Sequence, residues 1–317
     1  MIHRRDFLLG TAAAAFAAPS IVRAQSTTVI KMASLKLIHS IAPHFYEQFT
    51  PAGYKVEVIP FESPTEGKNA VVTNSVDFGM FGIAAATLGA AAGEPIVVIA
   101  SACNKGMAVM AGKDSPIASI KDLKGKRVAI WPGSTQEVFI LERLRMEGMS
   151  IRDVTPVRVS FSEMHLALAR GDVDAYVGAE PGPGVSLATG IGKVVEYPYS
   201  TSMGSLNMVF GAYRDTLAQK PDLTRVILGI HRKASEFAMA NRDAMVAMAV
   251  AKLGQKREAI EKSAPNVELT WRFGPTEIAQ AKTYAQHMVE LKQIKQIPDF
   301  SNFFDTRFVD EMKKQAA

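Results

Sequence analysis

The residues with the clearest chemistry follow a short apolar strand in the middle of the chain. We predict this strand at 127–131, ended by a Pro-Gly pair, and then a helix that is capped by Ser134 or Thr135 and runs to about residue 147. The first N–H groups of a helix lack partners within it and lie at the positive end of its dipole, so they suit anions. The predicted binding residues here are Gly133, Ser134, Thr135 and Gln136. An ordinary capped turn explains the same local sequence equally well.

Trp131 and Glu180 are two further binding candidates, each with an alternative role. Trp131 ends the predicted strand and offers a flat face for stacking, although a tryptophan in this position more often belongs to the core. Glu180 precedes a stiff Pro-Gly-Pro-Gly turn. Its carboxylate would repel a fully anionic ligand and suit the amine of a zwitterion, or it would form an ion pair that closes two parts of the protein on each other.

Three loops in the first third of the chain follow predicted strands, where open α/β sheets bind their ligands. The candidates are Ser34, Leu35 and Lys36 after the first strand, Phe81, Gly82 and Ile83 at the start of a helix, and Asn104 after a buried strand. The Lys36 amine suits an anion, although an exposed lysine needs no function. The turn at Gly82 either holds a polar group with its N–H donors or only packs tightly, and Asn104 offers both donors and an acceptor.

Strands and helices alternate through the first 213 residues and predict an α/β fold. We predict strands at 29–33, 54–60, 76–80, 95–100, 107–111, 127–131, 155–159, 173–177 and 206–213. We predict helices between them at 41–50, 65–73, 83–92, 136–147 and 162–169. Long helices at 222–239, 242–263, 275–293 and 306–315, without strands, should then pack outside one lobe.

A weak internal repeat connects residues 70–77 with residues 167–174. Each segment combines the end of a helix, an Asn or Gly suited to the left-handed conformation, and a Val-Asp pair that opens a strand. Because helix ends resemble one another, the similarity either arises by chance or indicates two related lobes that each carry this unit.

The first 25 residues predict a cleavable secretory signal. Arg4 and Arg5 precede an apolar run at 7–22, and Val22 and Ala24 supply small residues at a cleavage site. The paired arginines before x-Phe-Leu are typical of a twin-arginine signal. The run of 16 residues is shorter than a membrane span of about 20. A Sec signal or a retained anchor are the alternatives.

The composition argues against several classes of function. Net charge is +5 and falls to +3 once the signal is removed, and no basic run alternates with aromatic residues, so we expect no nucleic-acid partner. The single cysteine, Cys103, allows no internal disulfide. The six histidines form no metal-binding pair, and no nucleophile elbow or phosphate loop is present. We therefore expect no cofactor, no metal and no enzyme activity.

An ordered set of segments resembles the nitrate/sulfonate/taurine-type periplasmic substrate-binding proteins of ABC importers, a group that includes binders of thiamine pyrimidine precursors. The segments lie at 76–79, 113–128, 132–135, 167–175, 180–181 and 220–227. The resemblance implies a bilobal type II periplasmic-binding-protein fold, with two α/β lobes joined by two crossover strands. One lobe would comprise 26–101 plus 214–317 and the other 102–213.

The resemblance also implies the function. The protein would be a periplasmic monomer that binds a small molecule between its lobes and delivers it to an ABC permease in the inner membrane. We expect a small organic anion or zwitterion, such as an aliphatic sulfonate or taurine. A pyrimidine or another nitrogen heteroaromatic is the alternative. An enzyme of the related pyrimidine-synthase branch, which needs a cysteine-rich patch, fits less well because Cys103 is the only cysteine. Docking of the closed protein on a chemoreceptor, in place of a permease, is a further alternative.

Overall fold

The computed structural model describes residues 27–316, so the predicted signal at 1–25 lies outside the described residues. The strands are β1 Thr28–Leu35, β2 Tyr54–Phe61, β3 Phe78–Gly82, β4 Ile96–Lys105, β5 Met107–Gly112, β6 Arg127–Ile130, β7 Thr155–Arg158, β8 Ala175–Ala179, β9 Gly192–Glu196, β10 Leu206–Tyr213 and β11 Val267–Leu269. They form one sheet in the order β11-β4-β10-β3-β1-β2 and a second in the order β7-β6-β8-β5-β9. The predicted α/β bilobal fold class is confirmed.

Helices cover both sheets. The α-helices are α1 Pro64–Val72, α2 Ile83–Ala91, α3 Thr135–Met146, α4 Met164–Arg170, α5 Gly182–Ala188, α6 Arg214–Gln219, α7 Pro221–Ala240, α8 Arg242–Leu253, α9 Arg257–Ser263, α10 Pro275–Glu290, α11 Phe300–Phe303 and α12 Arg307–Ala316. Short 3-10 helices lie at Ile38–Ser40, Ala42–Phe49, Ile120–Leu123, Ile151–Asp153 and Ala264–Asn266.

The two sheets repeat one topology. In the first, β1 lies between the parallel strands β2 and β3, and antiparallel β10 and β4 follow beyond β3. In the second, β6 lies between the parallel strands β7 and β8, and antiparallel β5 and β9 follow beyond β8. The carboxyl ends of the parallel strands, where ligands of such sheets bind, are therefore present once in each lobe.

The internal repeat reflects this shared topology. Asp77 before β3 accepts the Lys31 backbone N–H at 2.9 Å, and Asp174 before β8 accepts the Arg127 backbone N–H at 2.8 Å. Each aspartate backbone N–H also donates to the same partner's carbonyl. Asn74 at φ 56° and Gly171 at φ 73° supply the left-handed helix ends. The repeat is structural, because the same unit begins the equivalent strand of each sheet.

The chain passes between the sheets at Gly106 and returns between β9 and β10. Residues 102–105 and 206–213 belong to strands of the first sheet. By sheet membership we propose lobes at 27–105 with 206–316 and at 107–196. The sequence-based limits of 26–101 plus 214–317 and 102–213 differ by these short crossing segments.

Some predicted elements are wrong in the carboxyl-terminal third. The single helix predicted at 242–263 is two helices, because Gly254 takes a left-handed conformation at φ 67° and ends α8. The region also contributes β11 to the edge of the first sheet. Its helices contact both lobes, since α9 packs against α5 and α10 packs against α3. The turn predicted after Glu180 is the start of α5, and β9 was not predicted.

Candidate functional site

A cavity of about 200 Å³ lies between the lobes. Its first-lobe wall consists of Lys36, Leu37 and Glu62, which follow β1 and β2. Its second-lobe wall consists of Phe161, Ser162, His165, Pro181, Gly182 and Val185, which follow β7 and β8. The end of α8 and the residues after it close the cavity with Lys252, Leu253 and Gln255. Both lobes thus contribute the carboxyl ends of their parallel strands to one shared cavity.

The wall of this cleft cavity carries an excess positive charge. Lys36 forms an ion pair with Glu62, so these two charges compensate each other. Lys252 forms no ion pair within residues 27–316. Burial lowers the pKa of His165, which favours its neutral form at neutral pH. One lysine charge therefore remains available to an anionic group.

Aromatic and cationic side chains lie beside the cavity on the second lobe. The rings of Trp131 and Phe161 have centroids 6.5 Å apart, and the Arg158 guanidinium lies 5.0 Å from the centre of the Trp131 ring. Trp131 is partly buried, so it contributes to the core, and stacking of a ligand on its exposed part stays a prediction. A flat aromatic surface with a cation on one face is available next to the cleft.

The predicted anion site at the start of α3 is buried, and two of its backbone N–H groups, those of Gly133 and Glu137, donate to side chains of the same turn. Ser134 caps the helix, accepting the Glu137 backbone N–H at 3.1 Å and donating to the Trp131 carbonyl at 2.7 Å. The Gly133 backbone N–H donates to the Glu137 carboxylate at 2.7 Å. Burial raises the pKa of Glu137, and hydrogen bonds from Gly133 and Gln293 oppose this effect. Gln136 is also buried. The Glu137 carboxylate therefore already accepts the hydrogen bond of the Gly133 N–H group, which was one of the donors predicted to bind an anion.

The start of α3 lies directly against the start of α2. A Cβ placed on Gly82 would lie 2.6 Å from the Thr135 Oγ1, and the Thr135 hydroxyl donates to the Asn207 carbonyl at 3.3 Å. Phe81 and Ile83, on either side of Gly82, are fully buried. The two predicted loops therefore meet across the lobes, and they leave no space for a ligand atom between Gly82 and Thr135.

Glu180 lies at the crossing between the lobes and not in the cavity wall. Its carboxylate accepts the Gly184 backbone N–H at 3.0 Å and the Asn266 side-chain amide at 3.1 Å. The Tyr199 hydroxyl donates to the other end of Asn266 at 2.9 Å and accepts the Met107 backbone N–H at 2.8 Å. Burial raises the pKa of Glu180 to about 7, and the hydrogen bonds from Asn266 and Gly184 limit the rise. The carboxylate connects α5 to the carboxyl-terminal segment by hydrogen bonds.

The remaining predicted residues have different surroundings. Lys36 lines the cleft cavity, and Leu35 lines an adjoining one. Ser34 is buried and donates its hydroxyl to the Ser40 carbonyl at 3.0 Å. Asn104 donates to Glu268 on β11 at 3.3 Å, so its amide connects neighbouring strands. Of the predicted residues, Lys36 alone is part of the cleft cavity wall.

Most of the cavity wall was not predicted from the sequence. Glu62, Phe161 and Gly182 follow strands, and the rule that ligands bind at strand ends could have identified them. Lys252 had no such signal, because an unbroken helix at 242–263 would place it mid-helix. The glycine two residues later was the available sign that the helix ends there.

Residues 27–316 contain neither a metal-binding cluster nor a membrane-spanning helix. No group of three or more His, Cys, Asp or Glu side chains in this part of the chain is placed to hold a metal ion. No helix among these residues combines the length and the apolar character of a membrane span.

The fold and the cleft define a bilobal α/β protein of the binding-protein type. Residues 46–245 match the family described as NMT1/THI5 like, and the chain belongs to this family. An Escherichia coli (strain K12) protein, provisionally named an aliphatic sulfonates-binding protein, is 23% identical over 202 residues. The match covers 63% of this chain and 63% of that relative. The resemblance to nitrate/sulfonate-type substrate-binding proteins is confirmed at the level of the family.

Solved structures share the fold. The alkanesulfonate-binding protein SsuA from Xanthomonas axonopodis pv. citri, bound to MOPS, gives a TM-score of 0.79 at 19% identity and covers 89% of this chain and 99% of that one. The desulfurization enzyme DSZB gives a TM-score of 0.70 at 15% identity and covers 92% of this chain and 100% of that one. Binding proteins and an enzyme therefore share this architecture, and the site must decide between them.

Proposed function

We propose that this protein is the periplasmic solute-binding component of an ABC importer and that it binds a small organic anion or zwitterion, such as an aliphatic sulfonate, between its lobes. The observation that carries the proposal is the cleft cavity with residues of both lobes in its wall and the uncompensated charge of Lys252. The names of the relatives and the signal-like first 25 residues support export and transport.

The positive charge of the cavity wall and closure of the two lobes would together bind the ligand. Lys252 would attract the anionic group, and Lys36 would contribute when its carboxylate partner Glu62 turns toward an amine on a zwitterion. Apposition of the lobes around the ligand excludes water and strengthens these interactions. When the lobes part, Gly82 and Thr135 separate, and the helix starts that now touch would offer their N–H groups to the entering anion. The closed form would then dock on the permease as a monomer.

A nitrogen heteroaromatic ligand is the second candidate, favoured by the aromatic pair Trp131 and Phe161 with Arg158 above it. Glu180 gives this candidate no support, because Gly184 and Asn266 already occupy its carboxylate. An enzyme that uses a thiol is disfavoured. Cys103 is fully buried and burial raises the pKa of its thiol, which opposes formation of the reactive thiolate.

A thermal-shift screen of residues 26–317 tests this proposal with sulfonates, taurine, nitrate, carboxylates, amino acids and pyrimidines. A ligand at about 100 times its Kd should stabilise the protein by about 2.7 kcal/mol. Lys252→Gln should weaken binding of anions at least tenfold, whereas Lys256→Gln, an exposed lysine outside the cavity wall, should not. A shift with pyrimidines alone would overturn the anion assignment in favour of the aromatic surface.

A further inference from the structure

A second cavity, of about 390 Å³, adjoins the cleft cavity on the first lobe. It lies between the 3-10 helix Ala42–Phe49, the edge strand β2 and the end of α8. Lys36, Lys252 and Leu253 line both cavities and form the boundary between them. Neither the anion site predicted at α3 nor the proposed binding of a small solute uses this space.

The second cavity has an apolar wall beyond that boundary. Val56, Val58 and Pro60 are alternate residues of β2, so they face the same side of the sheet. Leu35 and Pro43 complete the apolar lining. This surface is on the edge of the molecule's first sheet, where nothing within residues 27–316 fills the space.

The charges in the second cavity do not suit a second anionic group. Glu47 lines it and would repel such a group. Burial and the nearby charge of Lys252 lower the pKa of His44 to about 4, so its imidazole is neutral at neutral pH. The uncompensated positive charge thus lies at the boundary, on Lys252, and the apolar wall lies to one side of it.

We infer that the ligand is an amphiphilic organic anion, with its anionic head in the cleft cavity beside Lys252 and its apolar tail in the second cavity. This inference rests on the proposed function and names the ligand class of the same site. The cleft cavity alone is smaller than the roughly 300–1,000 Å³ of a typical pocket for a drug-sized ligand. The two cavities together accommodate a molecule larger than taurine, with the lysines where the head meets the tail.

The test is a calorimetric series of linear alkane-1-sulfonates from one to eight carbons, with taurine as the short zwitterion. Burial of each added methylene should raise the affinity about fourfold until the second cavity is full. Val58→Phe should narrow this cavity and abolish the rise, with methanesulfonate binding unchanged. Val29→Phe, at an exposed apolar residue of β1 outside both cavities, should keep the wild-type series.

The outcomes separate the two proposals. If short sulfonates bind and the affinity of the wild-type protein does not change with chain length, the tail site is wrong and the proposed function stands. A rise that persists in Val58→Phe places the tail elsewhere and also overturns the inference. If no sulfonate or carboxylate of any length binds the wild-type protein, the proposed function itself fails. A wild-type affinity that does not change with chain length overturns the inference even if Val58→Phe does not fold.

Discussion

Gly82 and Thr135 begin helices in different lobes, and a Cβ on Gly82 would lie 2.6 Å from the Thr135 hydroxyl oxygen. The amino ends of α2 and α3 therefore face each other across the lobes. Each end carries about half a positive charge from its helix dipole, so their approach is unfavourable without a compensating anion. The Glu137 carboxylate, held by the Gly133 N–H, supplies part of that compensation at α3. A residue without a side chain allows this approach.

Gly82→Ala should prevent the two lobes from approaching this closely. Gly82 has φ −62°, which alanine adopts without strain, so the fold should remain intact and only the contact with Thr135 should be lost. If closure accompanies binding, ligand affinity should fall at least tenfold, as measured by calorimetry. Small-angle scattering should show a larger radius of gyration than in the wild-type protein.

Gly229→Ala is the matched control for this substitution. A Cβ at Gly229 meets nothing within 4 Å, and helix α7 continues on both sides of it. Alanine there should leave binding unchanged and slightly stabilise the helix, by about 0.5–1 kcal/mol. Wild-type affinity in Gly82→Ala would show that binding does not require the two helix starts to touch.

The order of the elements could be predicted from the sequence because it depends on local patterns. The predicted strand at 206–213 matches β10, and Ser134 caps α3 as its sequence indicated. The helix break at Gly254 was missed because the flanking residues are strong helix formers. The strand β11 has three residues, too few for a periodic signal.

The site was harder to predict because its partners are distant in sequence. Glu180 reaches Asn266, which is 86 residues away, so its role at the crossing had no local signal. Lys252 and Phe161 line one cavity only because tertiary packing brings α8 and the loop after β7 together. Strand ends identify the region of a ligand site, and tertiary packing selects which side chains reach it.

Glu180 should make the stability of the protein depend on pH. Its pKa is raised from 4.5 to about 7 by burial, so the folded state binds more protons than the unfolded state between these values. The contribution of this group to the free energy of unfolding is complete below about pH 4.5 and is lost as the pH rises through about pH 7. This loss lowers the free energy of unfolding by an amount on the order of 3 kcal/mol.

Glu180→Gln should remove this contribution, because the amide resembles the protonated carboxyl group. Urea unfolding at several pH values between about 5 and about 8 should give a smaller decline in the free energy of unfolding for the variant than for the wild-type protein. Glu258→Gln, on the exposed side of α9, should follow the wild-type curve. Identical slopes for Glu180→Gln and the wild-type protein would contradict a protonated, buried carboxyl group.

Three histidines with lowered pKa values should make the protein less stable in acid, which is the opposite of the effect of Glu180. Burial lowers the pKa values of His39 and His231 to about 4, and burial with the charge of Lys252 lowers that of His44 to about 4. These groups bind fewer protons in the folded state, so their stability is present above about pH 6.5 and is lost as pH falls toward about 4. His44→Gln should reduce the acid decline in the free energy of unfolding, measured by urea unfolding. An unchanged decline would contradict a lowered pKa of His44 in the folded state.

Gly106→Ala should disturb the crossing between the lobes. Gly106 has φ 81°, a conformation that alanine adopts with strain, and a Cβ there would lie 2.0 Å from the His39 Nε2. The backbone strain alone costs about 1–3 kcal/mol. The His39 ring is fully buried against this residue, so it must also shift.

For Gly106→Ala we expect a lower midpoint of thermal unfolding and weaker ligand binding, because the crossing sets how the lobes meet. The double variant Gly106→Ala with His39→Ala removes the collision between the new Cβ and the His39 ring, so it should recover part of the loss in binding. If the single variant Gly106→Ala and the double variant lose binding equally, backbone strain explains the whole effect.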